Sequence, residues 1–367
     1  MNKAITISLC MIVKDEEHTL STCLESVQHL VDEIIIVDTG STDNTKKIAE
    51  QFTKHVHDFE WIDDFSAARN ASFHYATQDY ILWLDADDII KPNEAKKFHQ
   101  FKQTVDTQID AVSMKYHVAF DTQGHVTSST RRLRLIKRNK PFTWQGLVHE
   151  DITCQEKYSY VTSDITIEHT KQTSKDFNRN LHIYEKAIQK KYKLSITDMF
   201  HYARELTVHK QYKKAIPLYK QCLHSDEVSL ENKTFIYHQL ATCYALTGDT
   251  KKEQELTLQS FTVDIPQPVF CCRMGESFLH QKQYEQAIFW YALAITIELP
   301  IRYEWTISQQ IYQTWIPHKQ LAFCYFHIGA YEKAYEHIQQ VLVYQPNDTD
   351  AQQNRTIIKN LLQQHTL

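Results

Sequence analysis

Glycine is scarce in this chain, with six among 367 residues, and proline is hardly commoner at eight. Such a composition excludes collagen-like and low-complexity architectures, and each glycine is expected where a side chain would not fit. Long apolar runs are also missing. The stretch 31–37 is broken by Asp32 and Glu33, far short of the ~20 residues of a membrane helix. Positive charge is not in surplus. The formal net charge of −5, with 23% charged residues, argues against a nucleic-acid-binding face. No Cys-x-x-Cys occurs among the eight cysteines, and the neighbours Cys271 and Cys272 are poorly placed for a mutual bridge. Reduced core thiols in a cytoplasmic protein are therefore expected. The first residues run straight into a strand pattern without signal-peptide architecture, and the length suits two domains.

What the chain does have is concentrated at residues 79–88, Asp-Tyr-Ile-Leu-Trp-Leu-Asp-Ala-Asp-Asp. The unbroken run 80–84 predicts a strand buried on both faces. It ends in Asp85, Asp87 and Asp88. On extended chain Asp85 and Asp87 share a face, with Ala86 between them. Two carboxylates on one face repel unless a cation sits between them. At a strand end that cation would be Mg²⁺ or Mn²⁺, with positions open for phosphate oxygens.

Upstream, residues 5–13 predict a first strand, and Leu20, Leu24, Val27 and Leu30 have helical spacing. A second strand, 34–37, ends in Asp38 and a polar loop, with a helix starting near Asp43 or Asn44. A short strand follows at 56–59, then a helix carrying Arg69 and Asn70 about one turn in. Strand–helix alternation of this kind predicts a mostly parallel sheet with helices on both sides. Ligands bind such sheets at the carboxyl ends of the strands, which places Asp38 and Asp85 in one crevice.

Four stretches, 9–17, 37–45, 65–70 and 84–88, occur in an order and spacing that resembles the early motifs of family 2 glycosyltransferases of the GT-A fold. The likeness covers roughly residues 5–170 of an α/β domain placed at 1–174. It implies that Asp38 contacts the uracil or ribose of a nucleotide-sugar, with Arg69 and Asn70 beside the sugar nucleotide. Asp85, Ala86 and Asp87 would bind the diphosphate and its metal, with His169 completing the metal site. Farther on, Arg131, Arg132 and Arg134 lie on a predicted strand. Arg132 and Arg134 share a face that is either solvated or turned to phosphate. The cluster 144–151 ends in Glu150 and Asp151. An inverting transfer needs a base for the acceptor's proton, and the likeness favours Glu150 over Asp151.

After a helical linker at 175–194 no strand signal remains. The unit Tyr-x-x-Ala-x-x-x-Tyr at 212–219 recurs at 284–291 and, ending in Ile338, at 331–338. A degenerate copy runs through Ala241, Tyr244 and Gly248. Ala241 and Gly275 are 34 residues apart, the tetratricopeptide period. About 13 residues are inserted near 302–312. Residues 195–367 thus resemble an all-α tetratricopeptide array of about four units, a surface for a peptide or for a second copy in a homodimer. The combination is similar to transferases that attach a hexose from a UDP-sugar to Cys or Ser of bacteriocin peptides. Two other readings are compatible with the residues: a surface-polysaccharide transferase, and a peptide-binding scaffold with a degenerate transferase half.

Overall fold

The computed structural model describes residues 4–170 and 177–365. They form two compact units. The first is Met1–Val118 with Thr130–His209, and the second is Ala119–Ser129 with Lys210–Leu367. The anticipated boundary at 174 lies outside the described residues. The anticipated start of the array at 195 differs from the observed division, which falls after His209.

In the first unit the order is β1 (Ile7–Val13), α1 (Leu20–Val27), β2 (Glu33–Asp38), α2 (Thr45–Phe52), β3 (Val56–Asp58), α3 (Phe65–His74), β4 (Tyr80–Trp83), β5 (Asp88–Ile89), α4 (Pro92–Thr104) and β6 (Ala111–Phe120). There follow β7 (Val126–Lys137), β8 (Phe142–Gln145), β9 (Asp151–Cys154), β10 (Tyr160–His169), α5 (Arg179–Gln189) and α6 (Ile196–Val208). The main sheet has the order β3-β2-β1-β4-β7-β6-β10-β5. Strands β1 to β4 run parallel, as the alternation required, whereas β7 is antiparallel to β4 and β5 to β10. All four residues of β4 are buried, consistent with a strand covered on both faces. On α1, Leu20, Cys23, Leu24 and Val27 are buried, so the helix lays one apolar stripe on the sheet.

Two caps fix helices that matter for the site. Asp64 accepts from the Ala67 amide at 3.0 Å and starts α3. Ser195 and Asp198 form a reciprocal capping box at the start of α6.

The second unit is helical: α7 (Tyr212–Leu223), α8 (Leu230–Leu246), α9 (Thr250–Val263), α10 (Pro268–His280), α11 (Tyr284–Thr296), α12 (Trp315–His327), α13 (Tyr331–Tyr344) and α14 (Thr349–His365). The repeated Tyr-x-x-Ala units open α7, α11 and α13, and Ala215, Ala287 and Ala334 are fully buried. Gly275 on α10 faces the Tyr291 ring of α11, where an added Cβ would lie 2.8 Å from ring carbons. The small residue is therefore demanded by close helix approach. The insertion folds as two 3₁₀ turns and a short strand, β11 (Ser308–Gln309), which pairs antiparallel with Ser129 and Ser128 of the same unit. Among the described residues no helix is long and apolar enough to cross a membrane.

Candidate active site

Strand β4 ends at Trp83, and residues 85–88 leave extended geometry in a tight turn closed by Asp88 N–H to Asp85 O at 3.0 Å. The period-2 alternation expected for Asp85 and Asp87 is thereby lost. Asp85 turns to Arg69, whose Nη2 donates to its Oδ1 at 2.6 Å. Asp87 turns the other way, toward β10. The pairing of β5 with β10 sets His169 opposite Asp88, and His169 Nδ1 lies 3.3 Å from Asp87 Oδ1 and 3.6 Å from Asp88 Oδ1. The group with the geometry to hold a metal ion is Asp87, Asp88 and His169, with ligand atoms all within 4.8 Å of one another. Asp85, expected in that set, is outside it.

Asp88 was legible only as part of an acidic run, yet it is the best-held of the three. It is fully buried and accepts from the Tyr116 hydroxyl at 2.8 Å, the Asp85 amide at 3.0 Å and Arg134 Nη1 at 3.0 Å. Arg134 is itself fully buried, its guanidinium 3.8 Å from the Trp83 ring centroid. Arg131 is also buried and donates to the Ser163 carbonyl at 2.8 Å. The arginine strand is therefore no solvated basic face. Of the three arginines only Arg132 is substantially exposed, and it pairs with Asp151 at 3.1 Å.

Hydrogen bonds to Asp87 and Asp88 outweigh burial and push the His169 imidazole up to about 10. A cluster that draws a proton onto its histidine has surplus negative charge that a cation can neutralise. Two carboxylates and an imidazole suit Mg²⁺ or Mn²⁺ with further positions left for phosphate, so the residues present fit such an ion.

Asp38, at the end of β2, is 4% exposed. Its Oδ1 accepts the Gly40 and Ser41 amides, both at 2.8 Å. Among the described residues its Oδ2 is buried without a hydrogen-bond partner, an acceptor left over for a ligand. Asn70 behaves differently. Its amide donates to Trp144 O at 3.0 Å and accepts from Trp144 N at 2.9 Å, so it locks a strand end instead of facing the crevice. Ala86 is buried in the turn.

Arg69, 9% exposed, joins the two halves of the site. Besides Asp85 it bonds Glu150 through Nε, and its guanidinium lies 4.7 Å from the Trp144 ring centroid. Burial alone would depress Asp85's ionisation, but Arg69 and then Arg134 prevail and hold its carboxyl below the usual range. Glu150 ends a loop, 146–150, that is gripped at every residue. Ser66 Oγ bonds Gly146 O at 2.6 Å, Leu147 N bonds Asp198 Oδ1 at 3.2 Å, and the Tyr184 hydroxyl bonds Val148 O at 2.9 Å. His149 Nε2 lies 2.7 Å from Glu205 Oε1. Gly146 has φ +108°, and a Cβ there would meet Glu150 Cα at 3.4 Å. Asp151 follows at the start of β9, half exposed.

Both units of the chain resemble known proteins. Residues 8–160 match the model of Glycosyl transferase family 2. The first domain is a family 2 glycosyltransferase domain. Residues 153–269 match the SusR N-terminal TPR domain, and 269–299 match the Tetratricopeptide repeat. The glycosyltransferase SunS of Bacillus subtilis is 34% identical over 149 residues, 40% of this chain and 34% of that protein. A TPR repeat-containing protein of Synechococcus elongatus is 52% identical over 82 residues, 22% of this chain and 20% of that one. The chain thus spans about a third or less of the length of these relatives. Among solved structures, glucosyl-3-phosphoglycerate synthase from Mycobacterium tuberculosis with Mn²⁺ and UDP-glucose shares 25% identity over 30% of this chain and 44% of that one, at a TM-score of 0.27.

Proposed function

We propose that this chain is an inverting, metal-dependent glycosyltransferase that moves a hexose from a UDP-sugar to the Cys or Ser side chain of a peptide. The carrying observation is the Asp87–Asp88–His169 cluster, which follows the carboxyl ends of β4 and β10 in the mixed sheet and is linked through Asp85 and Arg69 to Glu150. Asp38, with its unpartnered Oδ2, would receive a donor group of the nucleoside. Asp87, Asp88 and His169 would hold the ion, and Arg134 and Tyr116 keep Asp88 oriented for it. A divalent cation bound there would offset the diphosphate's charge, in the donor and in the leaving group. Arg69 stays charged between two carboxylates and fixes the loop 146–150 beside the crevice. The acceptor attacks the anomeric carbon from the face opposite the diphosphate, and its proton must pass to a base. The peptide acceptor is supported by the likeness to SunS, and the helical unit supplies a surface on which a peptide can bind.

The test is incubation of the full chain with Mn²⁺, a panel of UDP- and GDP-hexoses, and two peptides differing only by Cys or Ser. A mass gain of one hexose on either peptide with a UDP-sugar supports the reading. Hexose transfer from GDP-sugars alone, or no transfer to any peptide, overturns it.

A further inference from the structure

Glu150 and Asp151 are the carboxylates that the sequence offers as base, yet both are engaged by arginines. Glu150, its side chain 7% exposed, is clasped by Arg69, and Asp151 Oδ1 is bonded to Arg132. Between the loop and α6 stands a different group. His149 is exposed, with 37% of its side chain accessible, and its Nε2 is 2.7 Å from Glu205 Oε1. Glu205 is 8% exposed and is itself held by Asn180 Nδ2 at 3.2 Å. A carboxylate on one ring nitrogen takes that N–H and fixes the tautomer, leaving a lone pair on the other nitrogen. Nδ1 has no hydrogen bond among the described residues. The loop holds His149 at φ +56°, a conformation uncommon for a side-chain-bearing residue and frequent at functional sites.

Resting on the transferase reading above, we propose that His149 is the base of the transfer and Glu205 its positioning residue. As the acceptor's oxygen or sulfur bonds to the anomeric carbon, its proton passes to His149 Nδ1. The bond from that carbon to the nucleotide diphosphate breaks, and the diphosphate leaves with the electron pair. The imidazolium formed is stabilised by the Glu205 carboxylate, and its proton returns to water after product release. Glu205 and His201 of α6 face the ring, Glu150 is its chain neighbour, and Arg204 of α6 and Arg132 of β7 act on His201 beside it. His201, whose ring centroid is 5.1 Å away, is kept neutral first by burial and then by the charges of His149, Arg204 and Arg132. It therefore adds no competing positive charge at neutral pH.

The experiment uses the full chain with UDP-glucose, Mn²⁺ and the Ser and Cys peptides. His149→Gly suits it, because glycine tolerates the left-handed backbone. Expected for the Ser peptide is a kcat about 10²–10⁴-fold lower, with UDP affinity by calorimetry within about twofold. The rising limb of the pH–rate profile should flatten, and added imidazole should restore turnover. Glu205→Gln should lower kcat on the Ser peptide with UDP affinity again within about twofold, since the ring loses the partner that fixes its tautomer. A purely structural role would not move the limb. An unchanged kcat in His149→Gly, or an unchanged limb in that variant with UDP affinity intact, overturns the assignment. If the wild-type chain transfers to neither peptide, the parent reading fails and this one with it.

Discussion

The Asp198 carboxylate of α6 accepts from the Leu147 amide at 3.2 Å, across 51 positions of sequence. With Tyr184 on Val148 O and Glu205 on His149, it makes α5 and α6 part of the catalytic unit. A chain ending at His209 is expected to fold and to bind UDP. One ending at Ser174 should bind more weakly and melt lower, because the loop that carries Glu150 and thus fixes Arg69 loses its outer supports. Thermal melts and UDP titrations of the two fragments check this; equal behaviour would show that α5 and α6 are dispensable to the site.

Asp87→Asn is expected to leave the circular dichroism spectrum unchanged, since the residue sits in a turn at the sheet's edge. Turnover should fall by more than about 100-fold, beyond what disturbing an outer-shell partner of a metal costs. EDTA should stop the wild type, and Mn²⁺ or Mg²⁺ should restore it. Undiminished turnover in chelator would remove the ion from the reaction.

The two acidic residues of the loop should separate in stability. Glu150→Gln removes a charged hydrogen bond from the nearly buried Arg69, at about 1.5–3 kcal/mol, with Asp85 still pairing the guanidinium. Asp151→Asn breaks an exposed pair and should cost about 0–1 kcal/mol. Urea denaturation of both variants measures the difference, and equal losses would contradict the clasp.

Acid should weaken the protein through one buried and one half-buried histidine. Burial, then Arg273, pushes His238 down to about 3, and burial, then His337, pushes His318 down to about 4. Their unfolded value is about 6.5. Between those limits the unfolded chain binds more protons, so stability is intact above about pH 6.5 and falls as pH drops through the window. Each such group contributes a slope of up to about 1.4 kcal/mol per pH unit. His238→Phe should flatten that slope in denaturation midpoints taken from pH 7 to 4.5; an unaltered slope would refute the role.

Gly275→Ala places a methyl 2.8 Å from the Tyr291 ring and should cost about 1–3 kcal/mol by overpacking. Pairing it with Tyr291→Leu should recover part of the loss. No loss in the single variant would mean that α10 and α11 part more easily than their packing implies.

The buried strand before Asp85, the parallel start of the sheet and the repeated alanines were all legible, because each is a local period of apolar residues. The turn at 85–88 was not. It depends on Asp88 bonding the Asp85 amide and on β5 pairing with a strand about 80 residues later, and neither leaves a local pattern. For the same reason Asp88 was seen but given no role, and Arg134 was read with the exposed Arg132 although Tyr116 and Trp83 enclose it. Glu205 lay in a stretch whose texture matched the repeat helices. A usable signal was the Ser195-x-x-Asp198 capping box, which marks where α6 begins but not what it faces.

None of the eight cysteines is in a disulfide, and seven are buried. Burial pushes the thiols of Cys222 and Cys324 up to about 11 and that of Cys271 to about 12. Cys10 and Cys23 are also raised, mainly by burial. Under the transfer to acceptor thiols proposed above, this is protection against itself: the seven buried sulfurs are out of an incoming sugar's reach, and a peptide thiolate meets no competitor among them. Cys154 on β9, half-buried, is the one place where such self-modification could begin.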